Sequence, residues 1–447
     1  MMNSMIGRKF ALWLSLAFGV LALTAPASST AAGEEPCNGS VELCGRSLDQ
    51  VVLPGTHNSM SNEEYGWALP NQHYSIPTQL DMGIRAFLVD THYGKPNGSG
   101  KITNVGEAEG HATDATIYFC HEYCTLGSTE LVPELAKVAA FLSSHPREVL
   151  VFVNESYVDP TDFAKAVTES GLIDYVYTGS TDTYPTLGQM IAQNQRVLML
   201  SESGTGSVSW YHAAYQGAMQ ETPYDFRVSE AGDPLTTRQG MDLLTGASTL
   251  DSTCRPNRGG TSGNLFLMNH WVNGYLDNSN PTVPDPAVAQ VLNQREVLVN
   301  RARACETRRG KLPNIVAVDD FGDGDLMGAV RELNGLTRPL LSLRRPARRA
   351  VRAGRKATYK LTVRNLGDDD APSVKVCVAV PKRLAVKPKC RSLSLNMGES
   401  RTVKFSVRTR RKGRGAGKVT FKVSGWGDTV ATSAGLKVKP LKKRNPA

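Results

Sequence analysis

The sequence predicts an α/β chain in two parts: a TIM-like (β/α) barrel, irregular or incomplete, followed by a small all-β sandwich of immunoglobulin-like type. Three observations carry this. Short, continuous apolar runs separated by stretches of helical spacing recur between residues 50 and 325, as strands buried on both faces of a parallel sheet require. Polar, titratable residues follow each of those runs, and the C-terminal end of its strands is where a barrel gathers its chemistry. Beyond Leu340 the pattern changes to period-two alternation and the charge reverses. Residues 341–447 hold 29 Lys+Arg against 5 Asp+Glu, which leaves 22 against 37 for residues 1–340. The formal net charge of +9 therefore hides an acidic body joined to a strongly basic C-terminal region, two units suited to different partners.

The elements follow in order. Arg8 and Lys9 precede an apolar run from Phe10 to Leu23 and an Ala25-Pro26-Ala27 site. This is the pattern of a secretory signal peptide over residues 1–27, too short for a comfortable membrane span, so the mature chain is expected outside the cell. All eight cysteines lie beyond that site, and an even count in an exported chain favours disulfides. Proximity suggests Cys37–Cys44, Cys120–Cys124, Cys254–Cys305 and Cys377–Cys390, although spacing alone does not fix connectivity. A zinc site at Cys120, His121 and Cys124 is the sharper reading, and the weaker one, because no second ligand pair with metal spacing is present.

A barrel is expected over residues 33–340. Its seven readable strands are Val51–Leu53, Ile84–Val89, Thr116–Phe119, Val149–Val153, Arg196–Leu200, Leu265–Met268 and Ile315–Val318. They lead in turn to His57 and Asn58, to Asp90 and His92, to His121 and Glu122, to Asn154 and Glu155, to Glu202, to Asn269 and His270, and to Asp319 and Asp320. Between them, segments such as Leu131 to Leu142 carry helical spacing. A basic linker is expected over 341–356 and a β-sandwich over 357–447. Val374, Val376, Val378 and Val380 alternate with other side chains, as do Val403, Phe405 and Val407, and Val419, Phe421 and Val423. Neither a histidine nor a carboxylate pair suggests a reaction there, so this part reads as a binding or spacer module.

Leu53-Pro54-Gly55-Thr56-His57-Asn58-Ser59, then Gly83-Ile84-Arg85 leading to Asp90, then His121 after a third strand, together resemble the X-type catalytic region of phosphatidylinositol-specific phospholipase C over most of residues 45–335. The resemblance implies a secreted phosphodiesterase cleaving the glycerol–phosphate bond of phosphatidylinositol or a glycosylated relative. His57 matches the family's general base and His121 its general acid, and histidine suits both roles because its pKa lies near working pH. The inositol 2-hydroxyl would attack first, giving a cyclic inositol phosphate. In the bacterial enzymes an aspartate on the last strand pairs with the base; Asp320 fits that position best and Asp319 is the runner-up.

One departure matters. Metal-independent bacterial members carry an arginine two positions after an aspartate on the second strand, and the equivalents here are Leu88 and Asp90. Calcium-dependent members have Asn directly after the first histidine and an acid matching Asp90. The resemblance thus implies Ca²⁺ ligation by Asn58 and Asp90, with Asn154 or Glu155 adding an oxygen, because hard oxygen ligands suit Ca²⁺. Leu88 stands where those members have a further carboxylate.

The bland readings stand beside these. His73, His145 and His212 read as structural or surface histidines, and Arg85 as a structural ion-pair partner. His92, His111 and His270 lie near the expected pocket without a role. Gly322-Asp323-Gly324-Asp325 reads as a turn, since it lacks the spacing of a calcium loop. Two other functions compete: a barrel phosphodiesterase for another phospholipid headgroup, and a catalytically inactive envelope-binding protein. The basic C-terminal region would meet the anionic lipid surface or acidic cell-envelope polymers, with nucleic acid ranked last because no aromatic-interleaved motif accompanies the charge.

Overall fold

The computed structural model of the chain describes residues 35–275, 282–367, 369–425 and 428–441; the expected signal peptide over 1–27 lies outside them. Residues 36–441 lie within a single compact unit.

Its first part is built on a curled parallel sheet. β1 (Leu53–Thr56), β2 (Ala86–Pro96), β6 (Leu150–Tyr157), β7 (Val197–Ser201), β8 (Tyr211–Ala213), β9 (Met219–Glu221), β10 (Leu265–His270) and β13 (Ile315–Val318) pair in the order β8-β7-β6-β2-β1-β13-β10-β9. Every pairing along this path is parallel. The sheet curls with β8 and β9 as its two ends, so the hydrogen-bonded path stays open between them. The core strands β1, β7, β10 and β13 are buried along their whole length, which is why they read as continuous apolar runs. β1 breaks strand preference with Pro54 and Gly55, and the second has a packing cause: a Cβ at Gly55 would lie 2.9 Å from Ile315 Cγ2 on β13.

Two expectations need correction. Thr116–Phe119 forms β4, which pairs antiparallel with the long β2 together with β3 (Ile102–Val105), and β5 (Thr129–Glu130) pairs with β4. It is an excursion from the sheet rather than one of its parallel members. Two parallel strands, β8 and β9, escape the sequence reading because three residues each are too short to show a period. A further pair, β11 (Gly274–Tyr275) and β12 (Thr282–Val283), forms a small antiparallel ribbon.

The second part is a two-sheet β-sandwich. β14 (Leu341–Arg344), β16 (Lys356–Asn365), β18 (Ala385–Val386) and β20 (Ser400–Thr409) form one sheet. β15 (Arg349–Arg352), β17 (Ala371–Ala379), β19 (Arg391–Leu395), β21 (Gly415–Gly425) and β22 (Asp428–Lys439) form the other. The alternating residues Val374, Val376, Val378, Val403, Phe405, Val407, Val419, Phe421 and Val423 make the shared core, as period-two burial demands. The expected linker over 341–356 is instead structural: β14 pairs with β16 and β15 with β22. Its arginines disguise it, since they occupy exposed positions on short strands.

All four cysteine pairs suggested by proximity are disulfides: Cys37–Cys44, Cys120–Cys124, Cys254–Cys305 and Cys377–Cys390. That overturns the zinc reading at Cys120 and Cys124, because a disulfide sulfur is no thiolate ligand.

Candidate active site

The C-terminal ends of β1, β2, β6, β7 and β10 open onto a cleft of about 450 Å³ whose lining includes His57, Asn58, Asp90, His121, Glu155 and Trp271. His57 leaves β1 with its backbone N–H donating to Val318 O at 2.9 Å, and Gln72 Nε2 donates to the carbonyls of both His57 and Val318 at 2.8 and 2.9 Å. This clamp fixes where the two strand ends release their side chains. The His57 ring is held twice over. Nδ1 lies 2.9 Å from Asp319 Oδ1, and Trp271 stacks on the ring at 3.7 Å between centroids and 4° between planes. Asn71 Nδ2 donates to the same Asp319 oxygen at 3.2 Å. Asp319 is buried. Carboxylate, plane and neighbour together leave Nε2 as the nitrogen free for chemistry in the cleft.

Asp320, the residue expected to pair with His57, does not do so. The β1–β13 register ends on Thr56↔Val318, and one further step sets His57 opposite Asp319. Asp320 then takes a left-handed backbone (φ 42) and turns toward His73, 3.7 Å from its Nε2. Which of two adjacent aspartates meets the histidine is a matter of register, which the sequence does not display.

His121 arrives by another route. It follows β4 inside the short loop closed by Cys120–Cys124. Asn104 of β3 braces that loop, donating to Glu122 O at 2.7 Å and accepting from Cys124 N at 2.8 Å. Glu122 carries a left-handed φ of 50. Burial and the nearby charge of His57 hold the His121 pKa below its ordinary value. The two histidines thus share one cleft and sense each other.

The acidic residues cluster on the opposite strands. Asp90 and Glu155 are register partners on β2 and β6, and Glu202 follows β7 with its N–H donating to Asn154 O at 2.9 Å. Burial pushes the Asp90 carboxyl well up, and the negative charges of Glu155, Glu202 and Glu122 push it further. Asn58 Nδ2 is buried and without a hydrogen-bond partner. That nitrogen is a hydrogen-bond donor and no metal ligand; the feature of the cleft that fits a hard cation is the crowding of the carboxyl oxygens of Asp90, Glu155 and Glu202. Asn154, the other expected oxygen donor, is buried and bonded to Thr91 and Tyr211 instead. Leu88 lines the cleft.

The sequence reading missed a second network in the wall. Arg258 grips Glu221 through Nε (2.6 Å) and Nη2 (3.0 Å), reaches Glu202 through Nη1, and lies over the rings of Tyr215 and Tyr224. Asn257, Asn269 and Tyr215 complete the coordination of the fully buried Glu221. Arg258 sits in a Gly-rich turn with no strand before it, so no signal marked it. Of the histidines without a role, His270 is fully buried between Leu292 O and Arg301 and its pKa is pushed down to about 3. His92 stacks on Tyr157 and is pushed down to about 4 by burial. Arg85 is the expected structural partner, 2.7 Å from Glu148.

Residues 43–334 match the family model described as PI-PLC X, and residues 349–435 match that of the HYDIN/CFA65/VesB-like, Ig-like domain. A protein of Arthroderma benhamiae named as an uncharacterized secreted protein is 27% identical over 322 residues, covering 68% of this chain and 64% of the relative. The chain thus spans less than two thirds of that relative's length. A PI-PLC X domain-containing protein 1 of the same fungus is 27% identical over 312 residues, covering 67% of this chain and 90% of the relative. Among solved structures, the CARDB domain of a Pyrococcus furiosus protein is 20% identical, covering 22% of this chain and 93% of that one, with a TM-score of 0.19, too low to carry an argument.

Proposed function

The chain belongs to the PI-PLC X family, and from that membership we propose that it is a secreted phosphodiesterase cleaving the glycerol–phosphate bond of phosphatidylinositol or a glycosylated relative. The observation that carries the reading is the His57–Asp319 pair, 2.9 Å apart, in one cleft with His121. His57 Nε2 takes the proton of the inositol 2-hydroxyl, and Asp319 stabilises the imidazolium that forms. The 2-oxygen bonds to phosphorus as the phosphorus–glycerol oxygen bond breaks, and that oxygen takes its proton from His121. The products are diacylglycerol and a cyclic inositol phosphate. His121 must carry a proton at the start; its lowered pKa makes the protonated form a stronger acid and a less populated one. Asn58, Asp90 and Glu155, with Glu202 and Glu122 close by, would hold Ca²⁺. When bound, the ion supplies the positive charge on the phosphate that an arginine supplies elsewhere. Export accords with four disulfides and with a relative named as secreted.

Purified protein incubated with phosphatidylinositol vesicles, with and without a chelator, should release inositol cyclic phosphate detectable by mass. His57→Ala should lower the rate by about 10²- to 10⁴-fold, and the chelator should suppress it. Release unchanged in His57→Ala would defeat the mechanism. A second reading, a catalytically inactive binding protein, rests on the apolar Leu88 in the cleft and predicts no release under either condition.

A further inference from the structure

Outside the cleft lining, and one residue along the chain from Asp319, Asp320 belongs to a group of ionisable side chains that the proposed reaction does not use. His73 Nε2 is 3.0 Å from Asp323 Oδ2 and 3.7 Å from Asp320 Oδ1, while its Nδ1 is 3.1 Å from Glu63 Oε2. One ligand atom from each of His73, Asp320 and Asp323 lies within 4.8 Å of the other two, the spread that a single ion bridges. The second observation concerns Asp320 alone. It is 2% exposed, and among the described residues its Oδ2 has no hydrogen-bond partner. A buried carboxylate oxygen without a donor is expensive unless a cation or a proton answers it. Asp320 also holds its left-handed backbone (φ 42) while its N–H donates to Asn71 O and its C=O accepts from Asp323 N. The main chain is therefore satisfied, and only the side chain is left wanting a partner.

We propose that His73, Asp320 and Asp323 form a second cation site, distinct from the cleft and suited to a divalent first-row transition metal of the Zn²⁺ or Mn²⁺ class. One imidazole nitrogen with two carboxylates is a borderline donor set of the kind these ions take. Glu63 accepts from Nδ1–H and so presents Nε2 as the ligating nitrogen, the carboxylate–histidine arrangement that orients metal-bound imidazoles. His73 and Asp323 are each 30% exposed, which gives the ion an entry path and room for water ligands. Asp320 follows Asp319 directly, so an ion here pins the turn that aims Asp319 at His57. The competing explanation is a protonated His73 that merely bridges three carboxylates.

Chelator-stripped full-length protein titrated with Zn²⁺ and, separately, Mn²⁺ against a chromophoric competitor decides between them. The expected result is an equivalent of binding, apart from any taken up by the cleft, that persists in Asp90→Asn and weakens at least tenfold in both His73→Ala and Asp323→Asn. Mn²⁺ should also broaden the ring-proton signals of His73 selectively in the unmodified protein, a readout independent of how the variants fold. Binding unchanged in the His73 and Asp323 variants, or no broadening at His73, overturns the site. Neither outcome depends on whether the cleft cleaves phosphatidylinositol.

Discussion

The His57 ring is constrained on three sides, by Asp319 at Nδ1, by Trp271 on its face and by the Gln72 clamp on its backbone. Asp319→Asn keeps the shape but loses the charge that stabilises an imidazolium, so kcat on phosphatidylinositol should fall by about 10²- to 10⁴-fold. Asp320→Asn, one residue on, should cost less than about tenfold, since its carboxylate does not touch His57 and acts on it only through the turn; a steady-state assay of both variants ranks them. His57 and His121 were legible because each follows an apolar run in a recognisable order, whereas Asp319 and Trp271 depend on register and on a loop. A pH effect follows from His270. Its folded pKa of about 3 lies below the ordinary 6.5, so between those values the unfolded chain binds the proton and the folded one does not. That stabilisation is fully present above about pH 6.5 and is lost as pH falls, by about 1.4 kcal/mol per pH unit. The Tm of His270→Gln should therefore change less between pH 6.5 and 4.5 than that of the unmodified protein.

At the scale of elements, the site is assembled from pieces of unequal visibility. β2, β6, β7, β10 and β13 announce themselves as buried runs, but β8 and β9 do not, and the sheet is open between those two. The β3–β4 excursion explains how a histidine from outside the parallel sheet reaches the cleft: β2 runs on past Asp90 and pairs with β4, which returns the chain to Cys120 and His121. The disulfides divide accordingly. Chain-entropy reasoning assigns about 4 kcal/mol to Cys254–Cys305, with its separation of 51, and about 2 kcal/mol to Cys120–Cys124, with its separation of 4. Replacing the first pair by alanines should lower Tm more. Replacing the second should lower kcat more, because its loop carries His121. If the small loop were only a structural staple, turnover of the second double variant would fall no further than that of the first, while calorimetry would keep the same order.

Across the whole molecule the charge asymmetry gains an address. On the outer face of the β14-β16-β20-β18 sheet, Lys356 stands directly across from Arg408 and Lys360 from Lys404. All four are exposed, and among the described residues none of them forms an ion pair with an acid. Like charges directly opposite on a sheet weaken it, so folding alone gives no reason for the arrangement. The valine and phenylalanine alternation beneath would be served by any polar outer residue. An anionic surface would give the reason: the acidic first part of the chain would be repelled by such a surface, and this face would be attracted to it. Near a charged bilayer each basic residue contributes about 1 kcal/mol. Changing Lys356, Lys360, Lys404 and Arg408 to glutamine should therefore weaken binding to anionic vesicles by up to about 4 kcal/mol, close to 10³-fold. The loss should shrink as salt rises. The same variant should bind neutral vesicles as before and melt no earlier than the unmodified protein, since two like-charged pairs are gone. Co-sedimentation with the two vesicle types at low and high salt, beside a melting curve, separates docking from bulk solubility. Equal binding of variant and unmodified protein to anionic vesicles at low salt would leave the basic face as a solvated surface and nothing more.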